Sequence, residues 1–339
     1  MKRFALLLLA LCLVFAFTGC SEPQVYLPQE NINLNYNNVS AENSSFWLTE
    51  NACYYAHAPL YGLNYYAATQ DKTEILLNTD NAAFAKIQAY GRLLYMLDWV
   101  NGSDYRLHTY DPETKEHTML ESRLTDVLSF FVAERSVYYI QEGAQRSLWV
   151  RSEDGANTQV AQSVLSAGVM DGKPVYLVQD GNEFRLYDYE LSSGLSRQLG
   201  SFSCQIGFNE YAESAVSFTK DRVLLTVSKD AHSRLICYEP ATGQTKEYAV
   251  DGWLWSVIAY EDYAFMVVVD DLAPETEFWN SALYRVALAD GQQETITQLK
   301  GMVDTYVASD ECVYIVQSTD PNHIYRMDLN GEKTLVARW

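Results

Sequence analysis

The chain has 339 residues and carries 44 acidic against 24 basic side chains, a formal charge of −20. A surface this acidic excludes electrostatic binding to nucleic acid and docking on anionic lipid. It reads first as a solvated exterior, and it can also draw cations or basic partners.

In chain order, Met1-Lys2-Arg3 is a short basic head, followed by an apolar run over 4–17 and then Thr18-Gly19-Cys20. The run is too short and wrongly flanked for an ordinary membrane span, and reads as an export signal. Phe17-Thr18-Gly19-Cys20 resembles a bacterial lipobox, with Phe17 standing where Leu is usual. That resemblance implies cleavage after residue 19, acylation of Cys20 by diacylglycerol and palmitate-type chains, and a lipid anchor on the extracytoplasmic face of the membrane. Loss of residues 1–19 removes Lys2 and Arg3 and takes the charge to −22. Residues 20–45, rich in Asn, Ser, Gln and Pro, read as a flexible tether, with 32–36 able to add an edge strand. The sequence thus divides into a signal (1–19), a lipidated cysteine and tether (20–45) and a folded body (46–339).

The body repeats itself. Residues 136–160 hold three short apolar-alternating runs (137–141, 148–151, 158–160) separated by polar turns, the pattern of an antiparallel meander. Tyr-rich second strands recur at Cys53-Tyr54-Tyr55-Ala56, Leu94-Tyr95-Met96-Leu97, Val137-Tyr138-Tyr139-Ile140 and Val175-Tyr176-Leu177-Val178. They continue at Val223-Leu224-Leu225-Thr226, Ala264-Phe265-Met266-Val267 and Val313-Tyr314-Ile315-Val316. Third strands follow each, and then turns such as Asp111-Pro112-Glu113-Thr114, Glu153-Asp154-Gly155 and Asn330-Gly331, whose residues supply fixed or positive φ. Seven units in a body of this length average a period in the low forties, which with four strands each is the signature of a β-propeller. The expected fold is all-β: a single β-propeller of seven four-stranded blades, with six or eight still compatible because 201–226 is stretched. The last unit has its own fourth strand at 333–338, so ring closure by a swapped N-terminal strand is optional.

Tyr138-Tyr139-Ile140, Leu283-Tyr284-Arg285 and Ile324-Tyr325-Arg326-Met327-Asp328 carry a resemblance to lipid-anchored propeller proteins of Gram-positive gut bacteria. Their blades are loosely similar to those of low-density-lipoprotein-receptor-related proteins. A YWTD tetrapeptide and the Trp-Asp signature are both absent. The resemblance implies architecture and location, and little about activity.

Catalytic signatures are missing. Gly200-Ser201-Phe202-Ser203-Cys204 lacks the second glycine of a nucleophile elbow, and there is no HExxH, P-loop or dinucleotide-binding glycine pattern. His57, His108, His117, His232 and His323 read as turn and surface residues in separate repeats. Cys53, Cys204, Cys237 and Cys312 have no metal spacing and read as buried thiols. Cys53 and Cys312 fall at similar places in the first and last units, so a ring-clasping disulfide is the alternative. No catalytic residue, cofactor or metal is assigned. Calcium at Asp270, Asp271, Glu275 or Glu277 would lack the DxDxDG spacing that a hard cation favours.

The candidate binding face is the one formed by loops joining second to third strands and one blade to the next. Its candidates are Trp99, Trp253, Trp255, Asp270, Asp271 and Trp279, with Asp98 and Asn101 beside the first. Aromatic platforms next to carboxylates suit a sugar ring, a peptide or a cation, although the indoles could equally pack the loops. The resulting expectation is a monomeric binding or scaffold lipoprotein at the cell membrane, its partner an envelope protein, peptide or glycan. The alternatives are a glycan hydrolase or lyase with central carboxylates, and an envelope-assembly factor.

Overall fold

A computed structural model describes strands from Phe46 to Arg338, leaving aside 1–45, 50–51, 56–62, 68–71, 78–82, 208–210, 213–215, 230–231, 271–279, 310 and 339. Cys20, the tether with its candidate edge strand at 32–36, and His57 therefore lie outside the described residues.

The described strands form seven antiparallel sheets, each drawn from one continuous stretch of chain. They span 46–77, 83–125, 127–162, 164–203, 211–251, 253–300 and 303–338, and are numbered 1 to 7 in that order. Strand order within each sheet follows the sequence, as in a meander. Sheet 5 departs slightly, because its first position is split between Tyr211–Ala212 and Ser217–Phe218, both paired with Val223–Lys229. The first strands touch in succession around the molecule, and Val303–Ala308 of sheet 7 returns to pack on Phe46–Thr49 of sheet 1. The protein is a single all-β propeller with four-stranded antiparallel blades.

The reason lies in the burial pattern. Second strands are buried on both faces: all six residues of Cys312–Gln317 are buried, as are the first five of Ser136–Gln141. Fourth strands are largely exposed, as in Asn157–Gln162 and Leu195–Ser203. A sheet with two apolar faces must be sandwiched, and neighbouring blades supply that cover. Tyr95 and Leu97 of sheet 2 thus meet Val137 and Tyr139 of sheet 3 in one cluster. Sheet 4 is set one residue differently from its alignment in sequence. Met170 pairs with Lys173 where sheet 3 pairs Ala133 with Ser136, so Pro174, not Val175, stands at the place of Val137. Val175 and Leu177 consequently pack toward sheet 5, because one residue of slip turns a side chain to the other face.

Among the described residues sheets 1 and 7 exchange no strand, and packing across their seam closes the ring. Cys53 stands in sheet 1 where Val313 stands in sheet 7, and Val313 with Ile315 faces sheet 6. By alternation Cys53 faces sheet 7 and the adjoining Cys312 faces sheet 1. The sequence placed these thiols together correctly, but neither is in a disulfide and both are buried, as is also true of Cys204 and Cys237. Burial, and then the Cys312 thiol, hold the Cys53 pKa well above its ordinary value. The unreactive protonated thiol is the form favoured there. In the chain from Ser21 onward, a thiol reagent is expected to find almost nothing in the folded protein and four thiols after denaturation without reductant. Recovery of only two would reveal a bridge.

Candidate functional site

The seven sheets give the ring two rims. Loops from second to third strands and the links between sheets share the upper rim, while the hairpins within strand pairs 1–2 and 3–4 share the lower one.

On the upper rim, Trp99 lies near the end of Leu93–Asn101, 47% exposed, and its indole N–H donates to the Gly102 carbonyl at 2.9 Å. Trp253 and Trp255 open the first strand of sheet 6. A register shift between Leu254 and Ser256 releases Trp255 from the ladder, and it is 40% exposed. The two indoles meet edge to face, centroids 5.0 Å apart. Asp270 ends the next strand opposite Asn280. Asp271 and Trp279 lie outside the described residues, as do Glu275 and Glu277. Sheets 1 and 7 intervene between sheets 2 and 6, so the ring brings Trp253 to Trp255 but keeps Trp99 apart from them.

Sheet 2 also carries a polar row, buried at Asp98 and His108, that sequence reasoning missed. Asp98 is fully buried and accepts both Nε and a terminal nitrogen of Arg106 through Oδ2, the Nε contact at 2.7 Å. His108 Nε2 lies 3.7 Å from the same oxygen, while its Nδ1 is 3.1 Å from His117 Nε2, the rings stacked at 5.0 Å. These two histidines were assigned to separate repeats and to turns or the surface. They instead share sheet 2, where His108 is buried and His117, at the start of its strand, is exposed as expected of a surface residue. Pairing of Asp98 with Arg106 and of His108 with Met119, two residues from His117 and so on the same face, sets the row. Burial, and then His108, lower the His117 pKa, opposed by Asp98. Among the described residues no cluster of His, Cys, Asp and Glu has the arrangement to hold a metal ion.

The lower rim holds a cavity of about 430 Å³ between sheets 2 and 3, a place that sequence reasoning did not single out. Three hairpins build its mouth: Gly91 and Arg92 from sheet 2, Arg135 from the first hairpin of sheet 3, and Ser152 with Glu153 from its second. Gly91 adopts φ 57°, fitting the tight two-residue turn that aims Arg92. Leu93, Tyr95, Leu120 and Val137 form an apolar floor.

The charges around the mouth are unequal in freedom. Arg92 pairs with Asp111 at 3.0 Å and Glu113 at 3.1 Å. Arg151 pairs with Glu121 at 3.2 Å and donates to the Leu120 and Gly155 carbonyls, each at 2.6 Å. Asp154 is occupied by the Ser152 hydroxyl and the Ala156 N–H. Arg135 and Glu153 make neither an ion pair nor a hydrogen bond among the described residues. Tyr95 is raised above its ordinary pKa by burial first and Glu153 second, with Arg135 opposing, so its hydroxyl is a protonated donor at neutral pH. With no histidine among its lining residues, this mouth can bind and orient a charged ligand. A periodic reading of strands finds cores and cannot see it, because its parts come from three separate hairpin tips.

No family model matches the chain, and no curated protein matches it. Solved structures do. A prolyl endopeptidase is 14% identical with a TM-score of 0.61, over 92% of this chain and 52% of that one. The β-propeller domain of the Trilobed protease from Pyrococcus furiosus, described as having an open velcro topology, is 15% identical with a TM-score of 0.58, over 87% and 98%. An acylaminoacyl peptidase from Pyrococcus horikoshii is 14% identical with a TM-score of 0.55, over 86% and 51%. The chain spans about half the length of the two peptidases. At these identities the likeness is one of fold.

Proposed function

We propose that the protein is a lipid-anchored, extracytoplasmic binding module that presents its propeller to an envelope ligand through the upper rim. The observation that carries this reading is the pair of large indoles left uncovered there, Trp99 and Trp255. Exposed tryptophan is a common energetic anchor of interfaces and sugar platforms. The lipobox-like Phe17-Thr18-Gly19-Cys20 and the polar tether support the location, and the lack of a catalytic signature supports binding over turnover.

The test uses the chain from Ser21 onward with washed envelope fragments, separated into glycan and protein fractions, in a sedimentation assay. Wild-type protein is expected to co-sediment with one fraction, and Trp255→Ala to weaken this about tenfold or more, with Trp99→Ala contributing separately. Equal binding by the Trp99→Ala/Trp255→Ala double variant would reject the upper rim. For the anchor, full-length Cys20→Ser is expected in the soluble fraction, whereas retention at the membrane would reject lipidation.

A further inference from the structure

We infer that the lower-rim cavity between sheets 2 and 3 binds a zwitterionic small molecule with an apolar body, of the size of a hydrophobic amino acid or dipeptide. The site lies on the opposite rim from the indoles and is independent of the envelope-binding reading.

Charge decides the ligand class. Two of the three arginines at the mouth already have carboxylate partners, in Asp111, Glu113 and Glu121. Among the described residues, the lining charges left unpaired are one cation, Arg135, and one anion, Glu153, both near Tyr95. A chain of formal charge −20 has carboxylates to spare, yet among the described residues none pairs with this guanidinium. Arg135 also sits at φ 60°, beside Glu134 at φ 51°, in a two-residue hairpin that favours Asn and Gly. Backbone strain of this kind persists where another requirement outweighs it.

Complementarity then follows group by group. A ligand carboxylate accepts from Arg135 and from the Tyr95 hydroxyl, charge-assisted bonds of the stronger kind. A ligand ammonium meets Glu153. The body lies on Leu93, Leu120 and Val137, in a volume within the range of small-molecule pockets. Phosphate would be repelled by Glu153, and a simple cation by Arg135. A free sugar would leave its hydroxyls against an aliphatic floor.

Calorimetry on the chain from Ser21 onward would use L-leucine, L-phenylalanine and leucyl-leucine, their N-acetyl and C-amide derivatives, and inorganic phosphate. At least one free zwitterion is expected to bind with Kd below about 1 mM, and acetylation or amidation to weaken it about tenfold or more. Arg135→Gly should remove the penalty for amidation and Glu153→Gln that for acetylation. Because Gly relieves the strained turn, the first variant should keep or raise the melting temperature, so lost binding would not reflect unfolding. The inference is overturned if no zwitterion binds at about 10 mM, if both variants bind like wild type, or if phosphate competes.

Discussion

Phe184→Ala is expected to destabilise the propeller by about 3–5 kcal/mol, the cost of removing a large, fully buried aromatic. Phe184 is 0% exposed and stacks on Phe202 at 5.1 Å, which stacks in turn on Tyr238 of sheet 5 at 4.6 Å. This train of three rings spans the interface between sheets 4 and 5, within a cluster that includes Leu186, Val223 and Leu225. Gly200 lies so close to the Tyr238 hydroxyl that a Cβ would displace it, so the last ring is seated tightly against sheet 4. The emptied volume therefore stays largely empty. Phe184→Leu, which keeps most of the volume, should cost less than about 1.5 kcal/mol. Urea unfolding followed by tyrosine fluorescence and circular dichroism measures both. A loss below about 1 kcal/mol for the alanine variant would mean that this interface relaxes freely.

Arg106→Ala is expected to cost a similar amount, about 3–5 kcal/mol, for an electrostatic reason. Among the described residues its guanidinium is the one strong cation on the carboxylate of Asp98, whose side chain is fully buried, with His108 farther away at 3.7 Å. One oxygen, Oδ1, already lacks a hydrogen-bond partner. Without Arg106 a buried negative charge would remain with little compensation. Replacing both members by Leu removes the charge as well as its partner, so Asp98→Leu/Arg106→Leu should be distinctly more stable than Arg106→Ala. A double-mutant cycle measures the coupling. If the double variant proves no better than the single, packing around Arg106 and not its charge carries the effect.

Much of the architecture was legible in the sequence because strand alternation and turn chemistry are local. The run 137–141, the turn at Asp111-Pro112-Glu113-Thr114 and the terminal strand at 333–338 all correspond to elements of the fold. The fourth unit was misaligned by a residue because Val175-Tyr176 imitates Val137-Tyr138, while the turn at Asp171-Gly172 sets the register. Local apolar pattern does not record which of two apolar faces meets which neighbour.

The candidate sites divide along the same line. Uncovered indoles near loop ends, Trp99 and Trp255, could be named from composition and position, although their separation around the ring could not. The Asp98–Arg106–His108 row was invisible, since its members lie on two strands and only cross-strand pairing joins them. The lower-rim mouth needed still more. Its free charges, Arg135 and Glu153, stand out only once Arg92 and Arg151 are seen to be paired within the fold. The sequence by itself determined the repeat, the strands and the acidic exterior, because those follow from short-range periodicity and summed charge. The tertiary structure decided which thiols, charges and rings become neighbours, because closing a ring of sheets joins residues that no local pattern relates.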